Sequence, residues 1–297
     1  HRKGNDPHLH HSLKNKKFLQ FAFQGTRDNQ LYLTNSVSQK VNVFKPVYDW
    51  FNSTLKLVAP DSRFGPFEHF IQEGNPLYEM MNSLLSQLDT GISQIGGEEI
   101  SIENIPISDS IKNLLNQYIK EGYSLNMHNA GSPDKIVFIK KDGILKAKKI
   151  ITYHNNIDNK KVKFDIQNES DGTKRIIDLL PAFLDLAAGA HPNFYIIDEL
   201  DRSLHTLLTR KLIELFLGHY ENESRSQLLF TTHDVLLMDQ NVLRRDEMWV
   251  TERKKDGSSN LISFDEYKDI RYDKNIRKSY LEGRLGGIPH FLVNNTL

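Results

Sequence analysis

Two adjacent acids close an apolar run at Phe194-Tyr195-Ile196-Ile197-Asp198-Glu199. Four apolar residues of this kind suit a central strand of a parallel sheet, buried on both faces. The chain then leaves at the C-terminal edge of the sheet, where ligands of α/β folds sit. A carboxylate delivered there can hold Mg²⁺ through water, and Asp198 is the residue placed for it. Glu199 follows at once and can orient or deprotonate an attacking water. Taken alone, the pair reads equally well as two acids capping the next helix.

A second apolar run, Leu228-Leu229-Phe230, ends in Thr231-Thr232-His233-Asp234. An imidazole at that edge can hydrogen-bond a γ-phosphate and sense its loss. Standing alone, His233 is one loop histidine among 12. One helix and one strand after Glu199, it fits the phosphate-sensing part. A third segment, Glu169-Ser170-Asp171-Gly172-Thr173, opens a long amphipathic run. Ser170 suits an N-cap, and Gly172 permits close backbone approach. The N–H groups and positive dipole end of such a helix bind anions, with Lys174 and Arg175 adding charge. Without the other segments, a plain N-cap is the simpler reading.

The elements that must position these residues alternate. Thr173–Ala188 reads as a helix, Phe194–Ile197 as a strand, Thr206–Leu217 as a helix and Gln227–Thr231 as a strand. That order predicts an α/β fold with a layered, mostly parallel sheet and flanking helices. Met248–Thr251 and Leu261–Phe264 read as a hairpin. Before them, 135–140, 146–152 and 161–166 are β-type runs split by Asp-Gly and Asn/Asp-rich turns, a small antiparallel sheet. Further upstream a helical subdomain is expected. Val41, Phe44, Val47, Tyr48, Phe51, Leu55 and Val58 recur at helical spacing, with Pro46 marking a start or kink. Residues 76–90 and 107–121 are two more amphipathic helices, the second capped by Asp109 and followed by Gly122. Gly96-Gly97 and Ser132-Pro133 read as turns. The expected division is therefore a mainly helical 1–134 and an α/β lobe at 135–297.

Bulk composition sets outer limits. The chain has 297 residues, 38% hydrophobic and 26% charged, with a formal net charge of +0. Mean hydropathy is -0.50. No apolar run approaches the ~18 residues of a membrane span, and no signal peptide is evident. Zero cysteines exclude disulfides and thiolate metal sites, and fit a cytoplasmic setting. His8, His10 and His11 form a cluster that reads as surface scatter, since no second cluster sits at ligand spacing. Basic runs at Lys14–Lys17, Arg244-Arg245 and Arg253–Lys255 can meet nucleic-acid phosphates or simply be solvated surface.

In this order and spacing the segments resemble the ABC-type ATPases of the SMC/RecF/OLD-like group. They are most similar to the RloA-like ATPases of restriction-linked and abortive-infection systems. Gly25-Thr26-Arg27-Asp28-Asn29-Gln30-Leu31, Val47-Tyr48-Asp49-Trp50-Phe51, Leu243–Trp249 and Tyr280–Pro289 share in the resemblance. The resemblance places Asp198 and Glu199 on Walker B, Leu200–His205 on the D-loop, His233 on the switch histidine and Glu169–Thr173 on the ABC signature. It implies ATP and Mg²⁺ as ligands, with Asp198 on the metal and Glu199 and His233 catalytic. Ser170, Gly172, Asp201 and Ser203 would meet nucleotide held by a second copy. It further implies a homodimer or higher homo-oligomer and a separate effector, such as a nuclease or toxin. A DNA-repair ATPase of the same fold and a slowly turning nucleotide-binding scaffold are the alternatives.

Two departures stand out. No Gly-x-x-x-x-Gly-Lys-Ser/Thr phosphate loop occurs in residues 1–297. The resemblance therefore leads one to expect a further N-terminal lobe carrying it, and no ATP hydrolysis by residues 1–297 alone. Asp171 stands where many ABC signatures have Gly, and an acid there costs phosphate affinity unless it points away.

Overall fold

A computed structural model describes residues 16–61, 68–121, 124–128, 135–188, 192–218, 225–267 and 275–287. In chain order its helices and strands begin with α1 (Lys16–Gln24), α2 (Tyr32–Ser38), α3 (Lys45–Asp49) and β1 (Leu55–Val58). Next come α4 (Pro76–Gln87), β2 (Ile92–Ile100), α5 (Asp109–Tyr118), β3 (Ser124–His128), β4 (Lys135–Lys141), β5 (Ile144–Asn155) and β6 (Lys161–Asp165). The last group is α6 (Asp171–Ala188), β7 (Phe194–Ile197), α7 (Thr206–Gly218), β8 (Gln227–Phe230), β9 (Trp249–Arg253), β10 (Ser259–Ser263) and α8 (Ile276–Leu281).

The strands form three sheets. The first is parallel, in the order β1-β7-β8, with Val58, Ile197 and Phe230 level at its C-terminal edge. The second has five antiparallel strands, in the order β2-β5-β4-β3, with β6 also paired to β5. The third is the β9–β10 hairpin. The fold is α/β, as the strand–helix alternation predicts.

Helix α6 lies at the centre. From Ile176 to Leu186 nearly every side chain is buried, the mark of a helix enclosed on all sides. One core cluster joins its Ile177, Leu180, Phe183 and Leu184 to Tyr195 and Ile197 of the parallel sheet and Ile95, Val137 and Ile150 of the antiparallel one. Met81 and Leu85 of α4 and Leu212 and Ile213 of α7 complete it. A buried ion pair, Lys135 of β4 with Asp178 of α6, also ties the helix to the antiparallel sheet. The opposite face of the parallel sheet carries Leu57, 68% exposed, and Leu229, 50% exposed, on either side of Ile196.

Several local expectations change. Leu55 and Val58 do not continue a helical face. The helical path ends in a π-turn at Trp50–Thr54, where Trp50 packs on the Phe194 ring at 5.9 Å, and the next four residues pair with β7. Gly96-Gly97 is no turn but the middle of β2, opposite Ile151 and Ile150. A Cβ on Gly97 would lie 2.9 Å from Ile71 Cδ1, a side-chain tip, so the glycine goes with close packing on a strand and not with turn geometry. The cap of α5 is Ser108, whose Oγ accepts from the Ile111 N–H, while Asp109 sits in the first turn. Pro46 does start a helix, at the first turn of α3. The antiparallel sheet is larger than its three expected strands because β2 and β3 join it. The boundary at 134 cuts across both large sheets: β1 pairs with β7, and β2 with β5. His8, His10, His11, Gly122, Ser132-Pro133 and Pro289 lie outside the described residues.

Candidate functional site

The shared C-terminal edge of β1, β7 and β8 builds the site. The Asp198 N–H donates to the Val58 carbonyl at 2.9 Å, and the Thr231 N–H to the Ile197 carbonyl at 3.0 Å. The parallel ladder thus runs one step past the strands, bringing Asp198 and Thr231 side by side. The Thr231 hydroxyl donates to Asp198 Oδ1 at 2.5 Å and accepts from the Glu199 N–H at 2.9 Å. Glu199 has a φ of +47°, in the left-handed region that non-glycine residues seldom adopt. Leu200, fully buried, then anchors the turn, and its N–H donates to the Thr231 carbonyl at 3.0 Å. His233 sits exposed two residues beyond Thr231, on the same edge as the two acids. Asp234 receives the Thr206 hydroxyl at the start of α7, which fixes the loop just after the histidine.

The start of α6 approaches this edge. Ser170 is its cap: Ser170 Oγ accepts from the Thr173 N–H at 3.1 Å and lies 2.9 Å from Thr173 Oγ1. A Cβ on Gly172 would come within 2.8 Å of the Ser203 carbonyl oxygen. Gly172 is therefore required where α6 meets the 201–205 turn, in which Ser203 itself has a φ of +61°. The Oδ1 atom of Asp201 is buried, with no hydrogen-bond partner among the described residues. The Asp171 side chain is 88% exposed and lies 3.5 Å from Lys174 Nζ. It faces solvent, on the open side of the helix, with Lys174 as its nearby counter-charge.

Arg175 departs from its expected part. Its guanidinium is turned inward, not toward an anion at the helix end. Nη1 donates to the Pro60 carbonyl at 3.2 Å, and Nη2 faces the carbonyls of Asp198 at 3.5 Å and Glu199 at 3.4 Å. Burial, the largest influence, holds the guanidinium below its ordinary pKa. Arg202 reaches from the turn to Asp61 at 2.8 Å. On the other side, Glu169 is fixed to β5: Thr152 Oγ1 donates to its Oε1 at 2.5 Å, and His154 Nε2 lies 2.7 Å from the same oxygen.

Sequence reasoning did not single out Thr231, Glu169 with His154, or the backbone-holding part of Arg175. Arg175 and Asp178 do leave a trace, as the two charges, one turn apart, in the otherwise apolar stretch 175–184. Of the basic pair Arg244-Arg245, Arg245 is buried, while exposed Arg244 pairs with Asp246 at 2.8 Å and Glu247 at 3.1 Å.

The donor set suits Mg²⁺. Among the described residues no three His, Asp or Glu side chains converge as a metal cage. Mg²⁺ does not need one, because it keeps waters and is held by one or two carboxylates with substrate phosphates. Asp198, with one oxygen taken by Thr231, retains a second for that use.

No helix among the described residues is long and apolar enough to cross a membrane. No curated protein and no solved structure matches the chain. A family model described as "AAA domain, putative AbiEii toxin, Type IV TA system" matches residues 13–239. That span is well over half of the sequence, and the chain belongs to this AAA-domain family of ATPase-like proteins linked to abortive infection.

Proposed function

We propose that the chain is the ATP-handling part of an RloA-like switch ATPase in abortive-infection defence. The observation that carries this reading is the common edge of β1, β7 and β8, where Asp198, Glu199 and the His233 loop emerge together. Asp198 would hold Mg²⁺, which when bound neutralises charge on the nucleotide phosphates. Glu199 would take the proton of the attacking water, and His233 would contact the γ-phosphate. The α6 N-terminus, with Ser170 and Gly172, and the turn with Asp201 and Ser203 would meet nucleotide held by a second copy. In this reading the closed homodimer is the output, and it controls a separate nuclease or toxin.

The phosphate-gripping lysine absent from residues 1–297 would come from a phosphate-loop lobe. The Leu57–Ile196–Leu229 face suits that lobe, because parallel sheets are covered on both faces. The experiment is ATP binding and hydrolysis by the full-length protein. Asp198→Asn should weaken Mg²⁺-dependent ATP binding, and unchanged binding would reject the metal assignment. Mixing Ser170→Arg with Glu199→Gln chains tests sharing between copies. Trans-sharing leaves one undamaged site per mixed dimer and restores about half the activity, since only one of two sites is spoiled. No recovery in verified mixed dimers would count against it.

A further inference from the structure

The guanidinium of Arg175 is a buried cation whose hydrogen-bond acceptors among the described residues are all backbone carbonyls. The side chain starts on the second turn of α6 and ends on Pro60, Asp198 and Glu199, which follow β1 and β7. Arg175 as a whole is 6% exposed. Burying a guanidinium is costly unless its donors are satisfied, and its Nε has no described partner. A long apolar side chain would fill the same space without that cost. What the guanidinium adds is direction: one planar group reaches carbonyls after two different strands and draws them toward one helix. One of those carbonyls belongs to Glu199, whose φ of +47° needs support from its surroundings.

We propose that Arg175 is a positioning residue that couples the N-terminal end of α6 to the Asp198–Glu199 turn. A shift of the Ser170–Gly172 end would be transmitted through Arg175 to the backbone of Glu199, within one chain. Gly172 against Ser203 forms a second contact between the same two elements, so helix and turn move together. The inference deepens the ATPase reading and rests on it for its catalytic consequence. Its mechanical content stands on the hydrogen bonds alone.

The test uses full-length wild type, Arg175→Met and Arg175→Lys. Amide exchange is followed in a peptide covering 198–204, with one covering 147–155 in β5 as the internal reference. Steady-state ATP turnover is measured alongside. Arg175→Met should exchange at least about tenfold faster in 198–204, with the reference within about twofold. Its kcat should fall at least about tenfold with KM within about twofold, the pattern of lost positioning, not lost binding. Arg175→Lys, which keeps the charge but not the planar fork, should lie between. Unchanged exchange in 198–204 would overturn the proposal, as would reference exchange rising in parallel. Unfolding of both variants would make Arg175 a core residue and overturn it too. A wild-type kcat in Arg175→Met would overturn its part in catalysis. If wild type itself does not hydrolyse ATP, the ATPase reading fails, while the exchange data still decide the coupling.

Discussion

Thr231 donates its hydroxyl to Asp198 Oδ1 at 2.5 Å while accepting the Glu199 N–H at 2.9 Å, so one side chain from β8's end fixes both acids at the end of β7. Thr231→Val keeps the shape and removes both bonds. The residue is exposed, so the expected loss of stability is small, about 1 kcal/mol, as for a typical hydrogen bond. Under the ATPase reading, the Mg²⁺ concentration for half-maximal activity should rise by up to about tenfold, the equivalent of about 1.4 kcal/mol. Thr231→Ser should restore most of it. A Mg²⁺ titration of the three proteins checks this, and identical curves would contradict it.

Gly172 has no room for a methyl group. Alanine is the better helix former, so substitution in an open first turn would stabilise α6. Here the Cβ would meet the Ser203 backbone oxygen at 2.8 Å, and backbone does not yield as a side-chain tip does. Gly172→Ala is expected to destabilise by about 1–3 kcal/mol, the usual cost of overpacking. Urea unfolding measures it; a gain in stability would show that the 201–205 turn moves aside freely.

The pair between Lys135 and Asp178 joins the antiparallel sheet to the central helix. Removing one partner leaves a buried charge, so Asp178→Ala should cost about 3–5 kcal/mol. The double change Lys135→Met with Asp178→Leu should recover most of that loss, because an apolar pair carries no desolvation penalty. Thermal unfolding of the single and double variants is the check. Equal destabilisation in both would mean that shape, not charge, governs this contact.

The sequence displayed some of this arrangement openly and hid the rest for physical reasons. Phe194–Ile197 and Leu228–Phe230 are short apolar runs ending in polar residues, so their strands and shared edge were legible. β1 was not, because Leu55 and Val58 also complete a helical spacing that begins at Val41; pairing with β7 overrides that periodicity. Gly96-Gly97 looks like a turn unless one knows that Ile71 lies against it. Ser170, Asp171 and Gly172 were legible as a helix start. The bonds from Arg175 were not, because their acceptors are backbone carbonyls that carry no sequence signal. Thr231 was hidden for another reason: its partners lie 33 and 32 residues away, brought to it only by the β7–β8 pairing.

The central claim is that the edge of β1, β7 and β8 is an ATP-hydrolysing centre with Glu199 activating water. Its most direct test compares wild type and Glu199→Gln in the full-length protein, measuring Mg²⁺-ATP binding and single-turnover hydrolysis together. Glutamine has nearly the same shape and can keep the turn, but it cannot accept the proton. Binding should therefore remain within about twofold while hydrolysis falls by about 10²-fold or more, the scale of a lost general base. Hydrolysis by Glu199→Gln at the wild-type rate would contradict the account.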